Sequence, residues 1–236
     1  MKSLHDFLFG LYPYIALSVF FIGSLIRFDR EQYSWKSDSS QILRKSQLRL
    51  GSMLFHLGVL VVFFGHLIGF LMPEPIVLAL MSERAHELLA MVGGGVAGVF
   101  SIIGLSILIY RRVSDPRILS NSRTADMVVL VIIWLQLALG LLTVVYSSSH
   151  VPGYDFGALI AYVQGIVIFR ADNAALILSV PWVYKAHIFL GLTVFLIFPF
   201  TRLVHIWSGF AAIFYLSRPY QLMRTHRKLA SNRRIS

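Results

Sequence analysis

The sequence predicts an all-α integral membrane protein, a bundle of five transmembrane helices, and three observations carry that prediction. The 236 residues are 57% hydrophobic and only 14% charged, outside the balance of soluble domains. Five apolar runs approach the roughly 20 residues that a bilayer core demands. The basic residues between those runs crowd into alternate loops, as they do in a multi-pass protein.

The first run, Phe7–Ile26, follows a start with a single basic residue, Lys2, and no convincing small-residue cleavage motif. It reads as a retained span rather than a removed signal peptide. The second, Leu50–Met72, is free of charge and ends at Met72-Pro73-Glu74-Pro75, where the prolines break it. The third and fourth are Leu88–Tyr110 and Met127–Ser149. The fifth, Ala186–Thr201 with its flanks, has only 16 uncharged residues; Lys185 and Arg202 at its edges can snorkel to the interface, so it still spans. A sixth run, Phe156–Phe169, has 14 residues, short for a span and suited to an interfacial or re-entrant helix. Residues 1–217 read as one membrane domain without internal repeats, and residues 218–236 as a basic tail that lies on the membrane, stays disordered or packs on a cytoplasmic subunit. The polar loop Arg27–Arg49, with Tyr33 and Trp35, is long for a turn and suits docking.

The net charge of +10 is a topology signal rather than a mark of nucleic-acid binding. The loops after spans one, three and five hold 17 basic residues, against four on the other side. The positive-inside rule then places the N-terminus outside and the C-terminus in the cytoplasm; anionic lipid or a docked partner can use the same charge. The absence of cysteine excludes disulfides, thiolate-bound iron–sulfur clusters and covalent c-type haem.

Histidines carry the chemistry. His56 and His66 lie inside span two, His187 and His205 in and just beyond span five. Imidazole in hydrocarbon needs a reason to be there. The spans are antiparallel, so His66 faces His187 at the outer depth and His56 faces His205 at the inner depth. Neutral nitrogen ligands at matched depths suit two bis-histidine haems. The spacing fits imperfectly: His56 and His66 are about 15 Å apart along a helix and point about 80° apart, whereas His187 and His205 are about 27 Å apart on one face. Pro199 between the latter two can kink the helix. The alternative is that these histidines hydrogen-bond neighbouring helices or relay protons, as in a transporter or channel. Zinc is a poor alternative, because no cysteine or carboxylate lies within these spans.

Other candidates have two readings each. His86, near the start of span three, is either a hydrogen-bond donor and proton shuttle near His66 or an interfacial histidine. Arg111, Arg112 and Arg202 mark the inner boundary and also suit haem propionates. Gly65-xxx-Gly69 and Gly94-xxx-Gly98 match the small-residue packing pattern, or leave room for a flat macrocycle beside the ligand helix. His5 and His226 read as solvated, His150 as surface.

Stretches across nearly the whole chain are similar to one family. They are Tyr12-Pro13-Tyr14-Ile15-Ala16, Gln32-Tyr33, Ser39-Ser40-Gln41, Leu54-Phe55-His56, Gly65-His66, Ala125-Asp126, Leu139-Gly140-Leu141-Leu142-Thr143 and Tyr220-Gln221-Leu222. The most distinctive is Phe198-Pro199-Phe200-Thr201-Arg202-Leu203-Val204-His205-Ile206-Trp207. The chain thus resembles the gamma subunit of membrane-bound respiratory nitrate reductase, a dihaem cytochrome b of the bacterial cytoplasmic (inner) membrane. The resemblance implies an outer b-type haem on His66 and His187, an inner one on His56 and His205, and a quinol site near Gly65, His66 and the start of span three. It implies that quinol oxidation releases protons outside. Electrons then pass inward to a cytoplasmic iron–sulfur beta subunit and a molybdenum catalytic alpha subunit that reduces nitrate. Well-known family members carry lysine where His86 stands, which bears on quinol binding and proton release. Two further readings are the same cytochrome type in another complex (nitrite-oxidising enzyme, hydrogenase or sulfur reductase) and a structural membrane anchor.

Overall fold

The computed structural model describes residues 2–31, 45–120, 122–148 and 154–208. Among them every regular element is helical, and five helices are long and apolar enough to cross a membrane. Helix α1 (Lys2–Asp6) runs through a π-helical turn, Phe7–Leu11, into α2 (Tyr12–Arg30). Pro13 follows the π-turn inside this continuous helical run, and its missing N–H leaves the Phe9 carbonyl, four residues back, without that donor. Helix α3 (Lys45–Leu71) stops before Pro73, which opens the short α4 (Glu74–Leu80). Ser82 caps α5 (Glu83–Ser114), its hydroxyl accepting from the Ala85 N–H at 3.2 Å. There follow α6 (Pro116–Ser120), α7 (Thr124–Ser148), α8 (Tyr154–Val167) and α9 (Trp182–Ile197), then 3-10 turns at Phe198–Phe200 and Arg202–Val204. The helices outrun the apolar runs because arginine and glutamate near their ends reach polar surroundings without interrupting the backbone. The loop with Tyr33 and Trp35, the 217/218 boundary and tail, His150 and His226 lie outside the described residues.

The spans pack in an arc: α3 along α5, α5 against α7, α7 against α9, and α9 against α2. Helices α3 and α9 are not a packed pair, so the ring α3–α5–α7–α9 stays open along one side. The tightest crossing is that of α3 with α5. A Cβ on Gly58 would lie 2.6 Å from the Ala97 carbonyl oxygen, and one on Gly104 would lie 2.7 Å from the Gly51 carbonyl oxygen. Gly51 and Gly58 lie seven residues apart, two turns along one face. The buried Ser101 hydroxyl donates back to the Ala97 carbonyl at 2.8 Å, so the hydroxyl that faces Gly58 is itself satisfied. The four-residue glycine motifs expected from sequence do not carry this contact. A Cβ at Gly65 or Gly94 would meet nothing within 4 Å, and Gly98 faces Leu141 of α7.

Helix α8, at 14 residues, is shorter than the five candidate spans, and it closes one end of the bundle. The Gln164 amide donates to the carbonyls of Phe70 (3.2 Å) and Met72 (3.1 Å), satisfying acceptors freed where α3 breaks. The Tyr162 hydroxyl donates to the Phe9 carbonyl in the π-turn at 2.8 Å, and the Asn173 amide donates to the Tyr162 carbonyl at 2.9 Å. Burial pushes the Tyr162 phenol well above its ordinary pKa, so it stays a donor. His5 belongs to this knot: its Nε2 donates to the Ala174 carbonyl at 2.9 Å and its ring packs on Phe9. The expectation of a solvated His5 is therefore corrected, because the chain start folds back onto the 3-10 turn Asn173–Ile177. Beneath lies a core of Phe9, Leu159, Tyr162, Ile177 and Val180.

The opposite, basic end is organised by the break in α9. Pro199 ends regular helix there, and Thr201 is extended, its hydroxyl accepting from the Leu203 N–H at 3.3 Å. Arg27 of α2 donates to the freed carbonyls of Pro199 (2.6 Å) and Thr201 (2.8 Å). A Cβ on Gly23 would lie 2.9 Å from Pro199 Cγ. Phe20, Val129, Phe198, Leu203 and Val204 form the core around the break.

Gly58→Leu should lower the thermal unfolding midpoint of the purified protein in detergent, since overpacking of this kind costs about 1–3 kcal/mol. Gly65→Ala, with open space at its Cα, should leave the midpoint unchanged.

Candidate cofactor and substrate site

Both expected histidine pairs form. The ring centres of His56 and His205 are 6.3 Å apart, and those of His66 and His187 are 6.1 Å apart. Two imidazoles on opposite sides of one metal ion, at bonds of about 2 Å, have ring centres about 6 Å apart. The mismatch in helical spacing is absorbed because α9 ends at Ile197. His205 lies beyond the break, where the chain has left the straight helical path. Each pair reaches across the open side between α3 and α9.

Protonation of the rings is also arranged. Nδ1–H of His56 donates to the Ser52 carbonyl at 2.8 Å, that of His66 to the Val62 carbonyl at 2.8 Å, and that of His205 to the Arg202 carbonyl at 2.6 Å. A proton held on Nδ1 leaves Nε2 bare, the tautomer a metal ligand needs. His187 differs: its Nε2 lies 3.4 Å from the Gln136 amide nitrogen, and its buried Nδ1 has no partner.

The residues fit a macrocycle-bound iron better than a bare ion. Among the described residues no three histidine or carboxylate groups converge as a metal site, so each pair offers two ligands where structural zinc needs four. Haem supplies the remaining ligands itself. The surroundings leave space: α3 is the least buried of the five spans, His56 and His66 are exposed in the protein alone, and nothing fills the position beside Gly65.

His86 lies at the same end as the His66–His187 pair. A Cβ on Gly69 would lie 3.5 Å from His86 Nε2. An aromatic series connects it to His66: His66 to Phe70 at 5.5 Å, Phe70 to Phe156 at 6.2 Å, and Phe156 to His86 at 5.1 Å between ring centres. Sequence reasoning missed the neighbouring Glu87, which is buried and paired with Arg84 at 3.1 Å. Its signal was available, as an acidic residue one position before the apolar run of span three. Nearby the Ser147 and Tyr184 hydroxyls share a 2.5 Å hydrogen bond between α7 and α9.

At the basic end, Arg112 and Arg202 converge on one carboxylate, Asp126, at 3.9 and 3.8 Å. Arg202 also supplies the carbonyl that holds His205. Arg111 is buried. Asp126 was visible only as part of a family-like dipeptide, since nothing in the linear sequence shows two distant arginines meeting there.

Fold and site together define a multi-pass membrane subunit built around paired imidazoles. A family model described as nitrate reductase gamma subunit matches residues 5–226. The respiratory nitrate reductase 2 gamma chain of Escherichia coli (strain K12) is 41% identical over 227 residues, 96% of this chain and 100% of that one. The respiratory nitrate reductase 1 gamma chain of the same strain is 40% identical over 224 residues, 95% and 99% of the two chains. The nitrate reductase gamma chain of Bacillus subtilis (strain 168) is 37% identical over 219 residues, 92% and 96%. The chain belongs to the nitrate reductase gamma subunit family, and is thus one subunit of an oxidoreductase complex.

Asp126→Asn leaves Arg112 and Arg202 side by side without their shared carboxylate. It should lower the thermal midpoint, with the loss shrinking as salt screens the two cations; Asp126→Glu should recover most of it. A midpoint unchanged at low salt would show that Asp126 does not hold the pair.

Proposed function

We propose that this chain is the cytochrome b subunit of a respiratory nitrate reductase in a bacterial cytoplasmic (inner) membrane. It oxidises quinol at the outer face and delivers electrons through two b-type haems to a cytoplasmic iron–sulfur subunit, which serves a molybdenum catalytic subunit. The observation that carries this reading is the two imidazole pairs, 6.1 and 6.3 Å between ring centres, bridging the unpacked side between α3 and α9. A proton-relaying transporter has no need of matched pairs at two depths. The loop charges orient the chain with its N-terminus outside, so His66 and His187 hold the outer haem and His56 and His205 the inner one.

When bound, haem supplies one-electron redox chemistry. The rest is the work of the protein. Main-chain carbonyls fix the proton on Nδ1 of His56, His66 and His205 and aim the bare nitrogens. Arg112 and Arg202, steadied by Asp126, provide guanidinium groups for the propionates at the cytoplasmic end. Gly65 keeps the approach to the outer pair clear for a quinol head group, and Phe70 and Phe156 offer it apolar ring faces. His86 accepts the quinol's proton and passes it outward, a task for which a neutral imidazole is suited.

The purified complex should show two b-type haems per chain in its reduced-minus-oxidised spectrum and pyridine haemochrome count. His66→Ala should retain one, and His56→Ala the other. A folded wild-type chain without haem would overturn the reading. His86→Leu should keep both haems and lose most quinol oxidation; an undiminished rate would remove His86 from the quinol site.

A further inference from the structure

Three of the four paired imidazoles hand their Nδ1 proton to a main-chain carbonyl one helical turn or less back along the chain. His187 has no such bond within its own helix: among the described residues its buried Nδ1 has no partner at hydrogen-bond distance, and Gln136 of α7 bears on the ring through its main chain as well as its side-chain amide. The carbonyl in the equivalent place is that of Val183, already within the first turn of α9. Among the described residues the side chain that bonds to the ring is Gln136 of α7, and the bond it makes, amide nitrogen to Nε2 at 3.4 Å, is long. That bond also leaves Gln136 Oε1 buried without a partner. Two buried polar atoms, an imidazole nitrogen and an amide oxygen, are thus stranded on neighbouring side chains that already touch. Each carries the full desolvation penalty of a polar atom while it stays unpaired.

Joining the two takes a turn of the amide about its terminal bond and of the ring about its side-chain bonds. The space for this is set by the glycines around them. A Cβ on Gly191 would lie 3.0 Å from the Gln136 amide nitrogen, and one on Gly140, one turn along α7 from Gln136, would lie 3.0 Å from His187 Cε1. Larger residues at either position would push the amide or the ring away.

We propose that Gln136 is the positioning residue of His187: its Oε1 accepts the Nδ1 proton, leaving Nε2 bare for iron. The inference rests on the dihaem reading and deepens it, by making the outer site differ from the inner one in the chemistry behind a ligand. A side-chain acceptor can be exchanged by mutation, whereas a main-chain carbonyl cannot. An acceptor on Nδ1–H makes the imidazole more basic and a stronger donor to the metal, which favours oxidised over reduced iron.

The test is a spectroscopically followed redox titration of both haems in membranes holding the whole complex. His66→Ala, which retains only the inner haem, assigns the two signals. Gln136→Leu should raise the midpoint potential of the outer haem and leave the inner one in place. Gln136→Glu, which offers a stronger acceptor of the same length, should lower it. Opposite shifts confined to the outer haem support the proposal. Midpoints unmoved in both variants, or moved alike at both haems, would overturn it and make Gln136 a packing residue. If Gln136→Leu cannot hold the outer haem, the sign of the Gln136→Glu shift decides. A wild-type complex without two haems would instead sink the dihaem reading itself, a result distinct from either.

Discussion

An imidazole in hydrocarbon has two nitrogens to satisfy, one bearing a proton and one a lone pair, and the arrangement of this protein follows from that requirement. The helix carrying His56 and His66 solves the first half with its own carbonyls. The second half has no solution within one helix, so the lone pairs look across to α9. The bundle must hold α3 and α9 close enough for their rings to face and far enough apart for their backbones not to meet. The arc through α5 and α7 does both. Glycines pull α3 hard against α5, fixing one jaw, while α7 spaces the other.

The ends of the bundle serve the same separation. At one end α8 ties together the terminus of α3, the π-turn before α2 and the turn before α9 through Gln164, Tyr162 and Asn173. At the other, Arg27 and Asp126 gather the broken end of α9 onto α2, α5 and α7. Both sets of bonds use polar groups that a broken or irregular helix exposes, so the breaks are anchoring points rather than weaknesses.

The spans were legible in the sequence because hydrophobic length is a local property. The histidine pairing was legible because two histidines per span, on antiparallel spans, leave one matching by depth. That the sixth apolar run forms a helix shorter than the spans was also legible, from its length alone. What escaped were several other polar residues whose partners are distant in sequence. Arg27 looked like a topology marker and His5 like a solvated end, Asp126 stood out only within a family-like dipeptide, and Gln136 did not stand out at all. The glycines show a subtler limit. A spacing of four drew attention to Gly65-xxx-Gly69, but the crossing uses a seven-residue repeat, Gly51 and Gly58, and Gly65 faces open space. The length mismatch between the two ligand helices looked like an objection, and the break at Pro199 removes it.

Each imidazole pair draws one ring from the second span and one from the last span or the turns just past it. Neither pair can form until the last span has been made; before that, α3, α5 and α7 can pack along one another with only the α3 rings in place. The slot is closed from the side, by arrival of the final helix. The two grips are also completed in order along the chain: the pair at His66 needs residues only as far as His187, the pair at His56 as far as His205, so a chain cut between those two positions keeps one pair and presents half of the other.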